Sequence, residues 1–388
     1  MAIVSYIIIF LTLAVSVGIS SIAIPGIIRF AFKKHLFDEH DERKIHTGAV
    51  PRLGGVAFFP VAFFTMAIVI ALSYMLANYT HHANVIFISH FVNADWIIGA
   101  GPAILLGLCA VMILYATGII DDLRGLRYRE KFLAQILAGV LVCLSGIFIE
   151  DLHGLFGLHV IPAWAGWIIT IFSIVFITNA INFIDGIDGL ASSICSIALI
   201  YFAVNFAILG RLGYAMLSIA ILGAVLPFLW YNVFGTVERH NKIFMGDTGS
   251  LFLGLVLATL GTVLNNIDIK WTTSWHPNAF ILAFAPLAVP CYDVLRVVLH
   301  RVRNHRNAFK PDRNHFHHKL MDCGFNQHGA LGVLLLVDTV MIATTVLTSI
   351  VVEPNVVLVV SLLAWSMLSI YMSRYIKRCK RDSVNTQQ

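Results

Sequence analysis

About twenty apolar residues in a row suffice to cross the hydrocarbon of a bilayer as a helix, and this 388-residue chain offers such a run eleven times. The runs fall roughly at 4 to 30, 55 to 77, 98 to 120, 132 to 149, 163 to 181, 190 to 209, 214 to 234, 249 to 265, 278 to 299, 329 to 350 and 355 to 375. With 59% hydrophobic and 12% charged residues, too little polar surface exists to clothe a water-soluble globule. In lipid, backbone amides must be satisfied within their own segment. The expected fold class is therefore all-α: an integral membrane protein of about eleven transmembrane helices. A single polytopic domain is expected over 1–376, with a basic tail over 377–388. The first run lacks a basic n-region and a small-residue cleavage site, so it reads as a retained helix.

Basic residues set the orientation. Of 26 lysines and arginines, 22 fall in the loops and tail on one side of the spans and only Arg211 and Lys270 on the other. The rich side is cytoplasmic by the positive-inside rule, which puts the N-terminus outside and the C-terminus inside. The net charge of +5 is thus a matter of topology, and nucleic-acid binding is not expected. The six cysteines show neither metal spacing nor a paired framework.

Every chemically loaded loop lies on that same side: 38–55, 121–131, 182–189, 238–250 and 301–319. Ionisable residues at the edge of a span are costly and so are functional candidates by default. Here they are Asp121-Asp122, the string NAINFIDGIDG from Asn179 to Gly189, and Asp247 within FMGDTGS. Each alone has a plainer reading: an acid pair ending a helix at the headgroups, an ordinary Gly-Asp turn, or an aspartate starting a helix. Phe244 alone would be an interfacial anchor, and His315, His317 and His318 a solvated basic loop. Taken together, carboxylates and amides beside strong cations suit magnesium, with manganese as an alternative. Magnesium takes oxygen ligands, uses one or two protein carboxylates, and completes its shell with water and substrate phosphate. Nearby cations would neutralise a diphosphate during phosphoryl transfer. Asp247, between Gly246 and Gly249, can approach such an ion closely, and Asn182 can offer a neutral oxygen. Two further acids fall inside spans. Asp293, three residues before Arg296, reads as a same-face helix pair. Asp338 must face the bundle interior, because facing lipid would cost several kcal/mol.

In chain order, Asp121-Asp122, Asn179-x-x-Asn182-x-x-Asp185-Gly-x-Asp188-Gly, Phe244-x-Gly246-Asp247-x-Gly249-Ser250 and His315-x-His317-His318 resemble the polyprenyl-phosphate N-acetylhexosamine-1-phosphate transferases of bacterial membranes. The resemblance covers nearly the whole chain. It implies transfer of a sugar 1-phosphate from a UDP-sugar to a lipid phosphate, with release of UMP. It also implies Asn182 and Asp247 as metal ligands, and Asp121, with its companion Asp122, acting on the lipid phosphate. Asp185 would lie near the diphosphate. Phe244 would stack on uracil, while Asp188, approached closely beside Gly186, and Asn232 would contact the nucleoside. Arg129 and Lys131, ahead of Gln135, and Arg43, Lys44 and His46 match basic positions of the family. Gly125 departs from it, standing where many relatives carry another acid.

The loop holding Arg313, His315, His317 and His318 resembles the branch that uses small amino sugars, since Lys319 and Leu320 follow the histidines instead of an acid. The resulting expectation is N-acetylglucosamine 1-phosphate transfer from UDP-N-acetylglucosamine to undecaprenyl phosphate, opening a surface-polysaccharide pathway at the bacterial inner membrane. Another UDP-amino sugar, or UDP-N-acetylmuramoyl-pentapeptide, is the alternative donor. The oligomeric state is left open, a homodimer included. A proton-coupled secondary transporter is the contrasting class, disfavoured by the clustering of motifs on one face and the lack of a clear inverted repeat.

Overall fold

The computed structural model describes residues 2–37, 50–80, 94–267, 278–305 and 316–385. Among the described residues there is no strand, only one isolated bridge between Asp151 and Val160. The helices are α1 Ala2–Lys34, α2 Phe58–Thr80, α3 Ala94–Arg124, α4 Tyr128–Leu144, α5 Ala163–Ile184, α6 Leu190–Ile208, α7 Leu212–Phe234 and α8 Gly246–Asn266. A broken span then follows as α9 Ala279–Phe284 and α10 Ala288–Arg303, joined by a tight turn containing Pro286. A short helix, α11 Phe316–Asp322, precedes α12 Gln327–Ser349 and α13 Pro354–Asn385. Ten segments among the described residues are long and apolar enough to cross a membrane, so the protein is an all-α, multi-pass membrane protein.

The eleventh expected run, 132 to 149, corresponds to α4, whose 17 residues fall just short of a full span. Its neighbours nevertheless give it a place in the bundle. α3 ends and α4 begins beside Asp247, and α5 returns to Asp247 through Asn182, so the chain must travel out along α4 before coming back along α5.

α8 is the axis of the bundle. In its most apolar stretch 83% of residues are buried in protein, against 17% for α3, which faces outward. Lipid tails give no hydrophobic drive between helices, so close backbone approach and interhelical hydrogen bonds hold the bundle. Small residues supply both. Ser16 and Ser20 of α1 donate to the carbonyls of Ala220 and Ala224 of α7, and Gly223 faces Ser16. Gly254 of α8 lies against the backbone of Thr178 in α5, and Gly118 of α3 against that of Thr248 in α8.

The two acids inside spans behave as expected. Asp293 pairs with Arg296 at 2.8 Å. Asp338 is fully buried, with neither carboxylate oxygen hydrogen-bonded.

Candidate active site

The site is assembled around the first turn of α8. Gly246 enters it at a φ of +72°, and any side chain there would strike the Arg52 carbonyl and the Asp122 carboxylate. A helix start leaves backbone N–H groups without partners. Asp122, from the last turn of α3, takes two of them: its oxygens accept from Asp247 N at 2.7 Å and Thr248 N at 2.9 Å, and from the Thr248 hydroxyl at 2.6 Å. It therefore caps α8 from another helix, with its charge at the positive end of the helix dipole. The segment before α2 closes the other side. Phe244 N donates to Pro51 O at 2.9 Å, while Gly54 N and Gly55 N donate to the Phe244 and Met245 carbonyls at 2.9 and 2.8 Å. A side chain on Gly55 would collide with the backbone of Gly249.

With α8 fixed, Asp247 points into a compact charged cluster. Lys131, from the first turn of α4, donates to Asp247 Oδ2 at 2.7 Å and to Asp121 Oδ2 at 3.0 Å. Burial works against the charge of Lys131, but Asp247 and Asp121 more than offset it and hold the ammonium above its usual pKa. Asn182, in the last turn of α5, donates to Asp247 Oδ1 at 3.1 Å and to the Ser250 hydroxyl at 2.8 Å. Asp121 also accepts from Leu126 N at 2.7 Å, where Gly125, at a φ of +69°, turns the chain out of α3. One helical turn deeper, Asn179 donates to Gln135 at 2.7 Å and ties α5 to α4.

Asp121, Asp122 and Asp247 can bring one oxygen each to within 4.8 Å of one another, a geometry that could hold a metal ion. The donor set fits a hard divalent cation: it is all oxygen, with neither thiolate nor imidazole. Asp122 has both oxygens engaged by the start of α8, which leaves Asp121 Oδ2 and the Asp247 carboxylate, held by side chains, as the exchangeable oxygens. A half-turn of the Asn182 amide would present its oxygen to the same place.

A second cluster lies beside the first. Lys242 and Asp188 form a buried ion pair at 2.6 Å. Asn232 accepts from Gly189 N at 2.6 Å and donates to the Ile243 carbonyl at 2.8 Å, so it clamps the loop ending at Gly189 to the strip leading into α8. Asp185 is exposed on its outer side. Burial, reinforced by Asp247, Asp188 and Asp122, pushes its carboxyl up to about 7 against the opposing pull of Arg52. Gly186 is exposed next to it, and Phe244 is half-buried.

Residues 104–265 match the model for Glycosyl transferase family 4. The matched stretch runs from within α3 to the end of α8 and so contains both clusters apart from Arg52. Three curated relatives extend the likeness. The undecaprenyl-phosphate alpha-N-acetylglucosaminyl 1-phosphate transferase of Escherichia coli K12 is 27% identical over 368 residues, covering 91% of this chain and 89% of the relative. The probable undecaprenyl-phosphate N-acetylglucosaminyl 1-phosphate transferase of Bacillus subtilis 168 is 29% identical over 314 residues, covering 81% and 77%. The Yersinia pestis undecaprenyl-phosphate alpha-N-acetylglucosaminyl 1-phosphate transferase is 25% identical over 316 residues, covering 79% and 75%. The resemblance carried by the motifs is therefore matched along most of the chain.

Of the residues expected from sequence, Asp121, Asp122, Lys131, Asn182 and Asp247 come together, with Asp185 and Asp188 in the neighbouring loop. Arg129 stays apart: its guanidinium lies exposed over the Tyr128 ring, 5.7 Å from the centroid. Asn232 is committed to backbone groups at both ends of its amide. Arg43, Lys44, His46, Arg313 and His315 lie outside the described residues, as do the side chains of His317 and His318. Lys242, Arg52 and Thr248 belong to the two clusters but are not singled out by sequence, whereas Ser250 closes the Asp247 motif. For Lys242 a usable signal existed, since a lone lysine two residues before Phe244 stands close to the Asp247 motif.

Proposed function

We propose that this chain is a polyprenyl-phosphate sugar-1-phosphate transferase, moving N-acetylglucosamine 1-phosphate from UDP-N-acetylglucosamine to undecaprenyl phosphate in a bacterial cytoplasmic membrane. The observation that carries this reading is Lys131 and Asn182 converging on Asp247 and Asp121 at the ends of membrane helices, in a chain that aligns with the named transferases over most of its length. An oxygen of the lipid phosphate forms a bond to the sugar-bearing phosphorus of the donor. The bond between that phosphorus and the bridging oxygen breaks, and its electron pair leaves with UMP. Magnesium, when bound by Asp121, Asp247 and Asn182, supplies positive charge to the donor diphosphate. Asp122 keeps Asp247 in place through the α8 backbone. Asp121, held beside Lys131, orients the acceptor phosphate and takes its proton where one remains. Asp185, with a carboxyl near neutrality, can hold a proton while facing an anionic diphosphate.

Purified protein offered undecaprenyl phosphate and a panel of UDP-sugars should release UMP and yield a lipid diphosphate N-acetylglucosamine identifiable by mass. Preference for UDP-N-acetylmuramoyl-pentapeptide would overturn the donor assignment. Substrate transport without UMP release would overturn the reaction class.

A further inference from the structure

We infer that Lys131 is the resident cation of the carboxylate cluster, and that a divalent ion binds by taking Asp247 from its ammonium. The inference rests on the divalent-cation reading of the same cluster. Asp121 and Asp247 come from different helices, and like charges this close do not share a recessed place without a counterion. Lys131 is that counterion, at 3.0 and 2.7 Å from the two carboxylates.

The partners of the acids differ in what can move. Asp122 is held by the α8 backbone and a threonine hydroxyl, whose positions follow from the helix itself. Both oxygens of Asp247 face side-chain partners: Lys131, Asn182 and the carboxyl of Asp121. The Asn182 amide can turn in place. The Lys131 side chain is long and remains 24% exposed, so its ammonium has somewhere to go. The helix beneath it is fixed, because Gln135, one turn further along α4, is buried and bonded to Asn179 of α5. Movement is thus confined to the side chain.

An ammonium cannot occupy the same carboxylate pair as a divalent ion. Magnesium needs its oxygens at about 2.0–2.1 Å, and a unit positive charge a few ångströms away opposes its entry. The lysine therefore preserves the separation of Asp121 and Asp247 and raises the concentration of ion needed to enter. Once displaced, the ammonium can swing toward solvent and offer its freed N–H groups to an arriving phosphate. Ion entry and anion capture become one exchange.

Direct binding of Mn²⁺ to the full-length protein in detergent, without either substrate, tests this through loss of the free-ion electron paramagnetic resonance signal. Lys131→Met should bind Mn²⁺ about tenfold tighter than the parent, or more, since a competing charge is gone. Equal or weaker binding by the variant would overturn the exchange while leaving the cation site standing. Failure of both proteins to bind would overturn the cation reading as well. Should Lys131→Met not fold, the parent protein supplies the answer. Acetylation of Lys131, followed by peptide mass spectrometry, should increase when Mn²⁺ is added, with Lys319 unchanged as the internal control. A Lys131 signal that stays constant or falls would reject displacement.

Discussion

The two ends of α8 are both polar, and they spend their polarity differently. At the far end, Asn265 and Asn266 donate to the carbonyls of Asp151 and Phe148. Asn278 donates to the His153 carbonyl and caps α9 by accepting from Ile281 N. Asn355 likewise accepts from Phe156 N and donates to the Gly154 carbonyl. Nearly every amide there is used up on backbone. At the Asp247 end, Asp122 and Asn232 hold backbone in the same way, but beside them side chains bind side chains: Lys131 with Asp121 and Asp247, Asn182 with Asp247 and Ser250, Lys242 with Asp188. Backbone partners fix a fold, whereas charged side chains held by one another can be exchanged for a ligand. A polar helix end thus becomes a candidate for chemistry when its bonds are replaceable.

Substitutions on the two ends should separate those roles. Asp247→Ala should have the largest effect, reducing transfer by about 10²-fold or more, the scale of one transition-state electrostatic contact. UMP release by the purified variant measures it, and near-parental turnover would remove Asp247 from the chemistry. Asp122→Ala should be intermediate and mixed. Loss of a helix cap costs about 1–2 kcal/mol of stability, and the shifted start of α8 should slow turnover about tenfold through misplacement of Asp247. Thermal unfolding and the transfer assay read the two parts; loss of turnover with unchanged stability would instead place Asp122 in direct contact with substrate or ion.

Asn278→Ala should cost about 1–2 kcal/mol through its cap and its buried hydrogen bond. Turnover per folded molecule should remain at the parental level, and a selective fall in turnover would blur the contrast between the ends. The smallest effect concerns pH. Asp185 is raised from 3.8 to about 7, so the folded protein retains a proton that the unfolded chain has already lost. Its contribution to stability is fully present below pH 3.8 and is lost as pH rises toward 7. Asp185→Asn should therefore gain in Tm relative to the parent across that interval, whereas a constant difference in Tm would show that Asp185 does not titrate there.

The apolar runs made the bundle legible, because length and hydropathy decide what crosses a bilayer. Asp121, Asn182 and Asp247 were legible because each interrupts a run at its edge. Their partners were less so. Lys131 meets Asp247 across 116 residues of chain, and Asp122 caps Thr248 across 126. Such contacts exist only after the helices pack, and a backbone N–H leaves no mark in a motif. Helical geometry would have separated the two basic residues of α4. Arg129 and Lys131 are two apart and face nearly opposite directions, while Lys131 and Gln135 are four apart and share a face. An apolar-flanked glutamine one turn after a lysine therefore points to the lysine whose face is buried. The tie between Asn232 and Gly189 had no comparable signal, since an asparagine at the end of a span reads equally well as a ligand contact or a clamp.

The brevity of α4 bears on the membrane itself. Seventeen residues rise about 25 Å along a helix, against a hydrocarbon thickness of about 30 Å. Its outer side carries exposed Leu133, Ile136, Leu137 and Leu144, so this short wall offers an apolar surface suited to acyl chains. A hydrophobic surface shorter than the bilayer is accommodated by local thinning. The expected consequence is a leaflet that thins beside Lys131, which would bring a lipid headgroup toward the charged cluster while its tail stays in oil.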